Sequence, residues 1–223
     1  MSHASLVRRD RDRLLPADPT TRSVARALYE RVADAPIISP HGHVPVEWLV
    51  EDRPFSDPAS LLITHDHYVT RLLHASGVGL DELGVGGSAA DPRQVWRRFA
   101  ERWPLFAGTA SGYWISESLQ NVLDVTVPLS AATADEAYDR IADQLATPEL
   151  RPRALFERFG IEVLATTDDP LDDLAGHAAL AAEGAVGRVL PTFRPDRYLD
   201  PDAAGFAQNV ERLVAETLSL IHI

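Results

Sequence analysis

The sequence predicts an α/β protein built on parallel strands, with a helical block inserted after its first strand. Three observations predict it. A short β-branched run, Ile37-Ile38, leads out of a helix into Ser39-Pro40-His41-Gly42-His43. Two later stretches repeat a strand, polar loop, helix order: Ile161–Thr166 ahead of a helix from Leu171, and Arg188–Phe193 ahead of a helix from Ala203. That rhythm makes a parallel sheet or barrel. Between about 50 and 160 the apolar spacing is helical, and no alternating strand interrupts it.

In chain order, Asp18-Pro19-Thr20-Thr21 reads as a helix start, and Val24, Leu28 and Val32 recur at helical spacing through Ala33. Pro36 ends that helix and hands over to the strand Ile37–Ser39. Pro45–Leu49 begins a turn of helix, and Arg53-Pro54-Phe55-Ser56-Asp57-Pro58 breaks it. A helix from about Asp66 ends at Gly77 and Gly79, and residues 84–92 form a loop. Further helices are expected at Gln94–Trp103, Gly112–Val122, Thr133–Leu145 with Thr133-Ala134-Asp135-Glu136 as its cap, and Arg153–Phe159. Past the strand Ile161–Thr166, Thr167-Asp168-Asp169-Pro170 is read as the cap of the helix from Leu171 to about Glu183. The strand Arg188–Phe193 and a helix from Ala203 to about Leu218 follow.

Composition narrows the classes. The chain has 223 residues and a formal net charge of -12, with 33 acidic residues against 21 basic. That balance argues against nucleic acid or an anionic membrane as the partner, while one local arginine still suits an anionic small molecule. With no cysteine, disulfides and thiolate metal sites are excluded. Met1–Leu15 lacks the apolar segment of a signal peptide, and no run has membrane-spanning length. A cytoplasmic protein is expected.

Three βα units do not close a barrel, which takes eight strands and roughly 250 residues. The chain is therefore expected to be the N-terminal part of a longer protein, inactive and poorly folded alone. An open sheet ending in an exposed third strand is the competing reading. Residues 219–223, apolar and without a stop signal, are expected to form a tail that need not be native.

Several residues stand out for chemistry. In an extended segment, side chains two apart point to one side, so His41 and His43 face one spot. Such a pair at the end of a buried strand suits a divalent metal; two surface histidines are the plain alternative. His65 and His67 form a rival pair, but on a helix residues two apart diverge, leaving one histidine and Tyr68 to face a cleft. Thr166-Thr167-Asp168-Asp169-Pro170 follows a strand, at the catalytic face of α/β barrels, and reads equally well as capping. Arg194, between Phe193 and Pro195, suits bidentate recognition of a carboxylate or phosphate; a salt bridge to Asp196 is the alternative. His74 and His177 lie in helices and read as structural, and the terminal His3 and His222 receive no role.

Taken together, these landmarks resemble uronate isomerase, the glucuronate/galacturonate isomerase branch of the amidohydrolase superfamily. The resemblance runs from about residue 12 to 218. It rests on Pro36-Ile37-Ile38, His41-Gly42-His43, His67-Tyr68 with Arg71, and Tyr113-Trp114 with Glu117. It continues through Phe159-Gly160-Ile161, Thr166-Thr167-Asp168-Asp169-Pro170 and Pro191-Thr192-Phe193-Arg194-Pro195-Asp196. The fold it implies is a partial (β/α)8 TIM barrel of the metal-dependent hydrolase type, with an α-helical insertion after strand one. Residues 1–49 would be the N-terminal helix and first barrel strand, 50–160 the insertion, and 161–218 the second and third βα units.

The resemblance also implies roles. His41 and His43 look like metal ligands, for a divalent ion, zinc by preference. His67 and Tyr68 look like the family's catalytic pair, and Arg194 like its substrate-contacting arginine. Ser39-Pro40 stands where many relatives carry an acidic residue, and the family's last strand supplies an aspartate and an arginine that three βα units do not reach. The implied reaction is D-glucuronate to D-fructuronate, or D-galacturonate to D-tagaturonate, in hexuronate catabolism. It proceeds by ring opening and proton transfer between C2 and C1 through an enediol. Tyr68 serves as proton carrier only where a metal or a neighbour such as His67 makes its phenolate accessible. A homo-oligomer is expected of the full-length protein. The alternatives are a metal-dependent hydrolase, whose bridging lysine this lysine-free chain lacks, and a non-catalytic α/β fragment that binds an acidic ligand.

Overall fold

The computed structural model describes residues 12–184 and 186–217. Most of Met1–Leu15, His3, His222, Leu218 and the tail 219–223 lie outside the described residues. The helices are α1 Pro19–Glu30, α2 Val46–Glu51, α3 His67–Ala75, α4 Pro92–Glu101, α5 Ala110–Glu117, α6 Ala134–Leu145, α7 Pro152–Arg158, α8 Ala175–Glu183 and α9 Phe206–Thr217. The strands are β1 Ile37–Ser39, β2 Ile161–Ala165 and β3 Arg188–Leu190. Single π-helical turns, Ser60–Thr64 and Ser118–Val122, precede α3 and extend α5. Among the described residues no helix is long and apolar enough to cross a membrane.

The chain packs as two compact units. One comprises Met1–Arg26 and Pro54–Arg151, the other Ala27–Arg53 and Pro152–Ile223. The first is helical. Asp91 caps α4 by accepting the Arg93 N–H, and Pro92 occupies the first turn, where no N–H is needed. Val95, Trp96, Phe99 and Ala100 then form a buried stripe at helical spacing. Trp96, Phe99 and Phe106 are fully buried, with ring centroids 5.5 Å apart for Trp96–Phe99 and 5.3 Å for Phe99–Phe106. The Trp96 indole N–H donates to the Ala134 carbonyl at 2.8 Å, which ties α4 to the start of α6. Arg97 closes the same contact outside with two 2.9 Å bonds to Asp135. Thr133 does not cap α6 as expected: its hydroxyl turns back onto the Pro128 carbonyl at 2.5 Å.

The second unit holds a parallel sheet in the order β1-β2-β3. Ile38 pairs with Val163 and Ser39 with Leu164, after a bulge at Ile37/Ile38, while Val163, Leu164 and Ala165 pair with Arg188, Val189 and Leu190. Leu49, Phe156, Leu164 and Leu180 form the core, flanked by Val44, Val46, Ile161, Val186 and Val189. Arg153 fastens this core's rim. Its guanidinium donates to the Leu49 carbonyl at 2.6 Å and forks onto Glu183 at 2.7 and 2.9 Å, joining the ends of α2 and α8.

Ile37 and Ile38 are 46 % and 62 % exposed in the three-stranded sheet described. Among the described residues β1 is an edge strand, so only its β2 side is covered. One expectation fails here for a physical reason. The helix expected from Leu171 begins at Ala175, because the supposed capping carboxylates are engaged elsewhere. Asp168 accepts from Thr166 and Thr192, Asp169 from the Leu171 N–H and the Tyr198 hydroxyl. Ala175 instead donates to Asp173 at 2.9 Å, and Leu174 adopts a left-handed backbone, φ 54.

Candidate active site

The site grows from the C-terminal ends of the strands. After β1 the chain runs through Pro40 to His41-Gly42-His43. A side chain on Gly42 would put its Cβ 3.2 Å from the Ala165 carbonyl oxygen, so glycine lets this loop lie against the end of β2. Thr167 Oγ1 donates to the Gly42 carbonyl at 2.7 Å and pins the loop there. The two imidazoles converge: His41 Nε2 and His43 Nε2 are 2.9 Å apart, with their rings nearly perpendicular at 81°. Two Zn–N bonds of 2.0–2.1 Å at a tetrahedral angle span roughly 3.3 Å between nitrogens. At 2.9 Å the two nitrogens are within hydrogen-bond distance, and a tetrahedral divalent ion would need them slightly further apart. No third His, Asp or Glu joins them to make a metal-sized cluster among the described residues.

The ladder between β2 and β3 continues past the strands and carries Arg194. Thr166 N–H donates to Leu190 O at 3.0 Å, Asp168 N–H to Thr192 O at 3.1 Å, and Arg194 N–H to Asp168 O at 3.1 Å. Asp168 and Phe193 form the bridge between them. Arg194 Nε binds Asp196 Oδ2 at 2.5 Å, the ion pair held open as the alternative to ligand recognition. It engages one nitrogen only. The two terminal nitrogens have no partner among the described residues, so the fork remains free for an oxyanion while Asp196 orients it.

A cavity of about 660 Å³ lies within this unit, lined by His43, Glu47, Thr166, Asp168, His177 and Arg194, with Asp172 and Asp173 at the start of α8. Among the described residues Arg194 is the one arginine in that lining. The structure thus brings His43 and Arg194 to one cavity, with His41 beside His43. His67 and Tyr68 belong to the other unit. There Asp66 caps α3 by accepting the Tyr68 and Val69 N–H groups at 2.8 and 3.2 Å. The two rings sit 4.2 Å apart at 35°, Arg71 covers the Tyr68 ring at 5.4 Å, and Tyr68 is 60 % exposed.

Tyr198 supports the Asp169 end of the loop. Its hydroxyl donates to Asp169 at 2.8 Å, and its pKa is pushed up to about 12 by burial and then by that carboxylate. Burial opposes ionisation of Asp169, but the Leu171 N–H, the Tyr198 hydroxyl and Arg197 outweigh it and hold its pKa below the usual value. A raised tyrosine pKa means the folded state keeps its proton longer than the unfolded chain does. This contribution to stability is complete below pH 10 and is lost as pH rises towards about 12. Denaturant unfolding of the intact protein should show that alkaline loss, and Tyr198→Phe should reduce it.

Sequence reasoning assigned His177 a structural place and missed its connection. It is 7 % exposed, and its Nε2 lies 2.8 Å from Thr166 Oγ1. The available signal was a single histidine on an alanine-rich helix shortly after Thr166-Thr167-Asp168-Asp169-Pro170, which by itself identifies no partner.

The glucuronate isomerase family matches residues 19–222 of the chain. A uronate isomerase of Corynebacterium efficiens is 53 % identical over 206 residues, covering 91 % of this chain and 44 % of that protein. One of Rhizorhabdus wittichii is also 53 % identical, covering 92 % and 44 %. The crystal structure of glucuronate isomerase from Caulobacter crescentus superposes with a TM-score of 0.89 at 43 % identity, over 96 % of this chain and 45 % of that one. Uronate isomerase from Thermotoga maritima gives 0.82 at 30 % identity, over 92 % and 44 %. The chain spans less than half the length of these relatives. With the family matched along nearly all of its residues, the chain belongs to the glucuronate isomerase family.

Proposed function

We propose that the intact protein is a uronate isomerase, interconverting D-glucuronate with D-fructuronate and D-galacturonate with D-tagaturonate. The parallel sheet is then part of a (β/α)8 barrel of the metal-dependent hydrolase type, and the helical residues 50–160 its insertion. One observation carries the reading beyond family membership. Among the described residues a single arginine, with both terminal nitrogens free, lines a cavity otherwise rich in carboxylates. A sugar acid suits that lining: its carboxylate finds one cationic partner, and its hydroxyls donate to Glu47, Asp168, Asp172 and Asp173.

In this reading Arg194 holds the uronate carboxylate and Asp196 orients the guanidinium. His67 and Tyr68 handle the protons. Removal of the C2 proton from the open-chain aldose gives the enediol; return of a proton to C1, with the O2 proton passing to O1, gives the ketose. His41 and His43 would hold a divalent metal, zinc by preference, which when bound supplies polarisation of the C1 and C2 oxygens. Homo-oligomeric assembly and a cytoplasmic location belong to the same proposal and rest on the family likeness.

The test is direct assay of the intact gene product on D-glucuronate and D-galacturonate. Ketouronate formation is expected from at least one; if neither is converted, the isomerase reading is wrong.

A further inference from the structure

Three polar side chains lie buried side by side between the end of β2 and the first turn of α8. Thr166 is 1 % exposed, His177 7 %, and the Asp168 side chain 11 %. Thr166 Oγ1 is 2.7 Å from Asp168 Oδ2 and 2.8 Å from His177 Nε2. A hydroxyl has one proton, and a carboxylate only accepts, so the proton goes to Asp168. The Leu190 carbonyl, 3.3 Å from the same hydroxyl, is already served by the Thr166 N–H at 3.0 Å. His177 must then donate to Thr166 through Nε2–H. The chain of donors runs one way, from imidazole to hydroxyl to carboxylate.

The far end of that chain is Arg194. Asp168 Oδ2 also accepts the Thr192 N–H at 3.0 Å, and the Asp168 main chain bonds Thr192 and Arg194 on either side of Phe193. Whatever fixes Asp168 fixes the segment that presents the guanidinium. Packing alone does not call for histidine at 177, since its Nδ1 is buried with no partner among the described residues. Donation to Thr166 gives the imidazole a purpose that an apolar side chain could not serve.

We propose that His177 is a positioning residue: through Thr166 and Asp168 it sets where the Arg194 fork meets the substrate carboxylate. This rests on the uronate isomerase reading for its substrate, but the geometry it asserts can be read without turnover. In the intact protein, nitrogen-15 histidine spectra should show a proton on His177 Nε2. His177→Leu should shift the Arg194 amide resonance, and His177→Gln, whose side-chain amide still donates towards Thr166, should restore it. With D-glucuronate, His177→Leu should raise KM roughly tenfold, as for one lost hydrogen bond, with kcat changed less, and His177→Gln should recover most of that loss. Thr166→Val, which breaks the same chain at its middle, should reproduce the KM effect should the leucine variant not fold.

An unprotonated Nε2 in the wild-type protein would overturn the proposal. So would an unmoved Arg194 amide, or a fall in kcat at constant KM. Wild-type protein that converts no uronate would remove the functional reading, while the two resonances would still decide the role of His177.

Discussion

Replacing Arg194 by methionine in the intact protein is expected to raise KM for D-glucuronate by one to two orders of magnitude. The estimate follows from a charge-assisted, bidentate contact worth about 1.5–3 kcal/mol, with each 1.4 kcal/mol a factor of ten. Methionine preserves the stem and removes the fork. Arg194→Lys keeps the charge but not the planar geometry, and should recover only part of the loss. A neutral aldose lacks the carboxylate, so any activity on it should be unaffected by either variant. Steady-state kinetics on both sugars checks this: equal losses on acid and neutral sugar would mean that Arg194 supports the loop and does not read the carboxylate. The Asp196 ion pair sharpens the expectation, since it already holds Nε and leaves the terminal nitrogens for the ligand.

The largest effect on stability is expected at Trp96. It is fully buried between Phe99 and Tyr138, and its indole N–H holds the Ala134 carbonyl at the start of α6. Trp96→Ala removes the ring and that bond together, a loss of about 3–5 kcal/mol for a large-to-small change in a close-packed core. In a unit of this size the melting temperature should fall on the order of 10 °C. Trp96→Phe keeps most of the volume and should fall by much less. Calorimetry of the two variants separates packing from the hydrogen bond, and a phenylalanine variant as unstable as the alanine variant would show that the bond dominates.

These two residues also mark how far the sequence could be read. The Val95, Trp96, Phe99 stripe was plain from helical spacing, and so was the parallel run of Ile161–Ala165, because local periodicity reports which face is buried. Asp66 was legible as a helix start, and it caps α3 as local chemistry dictates. Arg194 and Asp196, two residues apart, were readable as a pair. What the sequence concealed is tertiary. Asp168 and Asp169 look like helix caps, and only the fold shows their oxygens taken by Thr166, Thr192 and Tyr198. The link from His177 to Thr166 crosses a loop and a helical turn, and no spacing rule reports it.

The helical start of α8 shows the same competition from the other side. A helix begins where its first N–H groups find acceptors, and Asp173 serves Ala175 while the earlier carboxylates are committed to the loop. Moving the start of the helix four residues on leaves Asp168 free to bind β3's extension and so to place Arg194. Loop order and the position of Arg194 are therefore coupled through one side chain.

The measurement that bears most directly on this account is incubation of the intact protein with D-glucuronate in D2O, followed by proton and carbon NMR of the product. The account predicts a ketouronate that carries solvent deuterium at C1 in proportion to how far the transferred proton exchanges with solvent at the enediol stage. Unchanged D-glucuronate, with no ketouronate from either it or D-galacturonate, would contradict it.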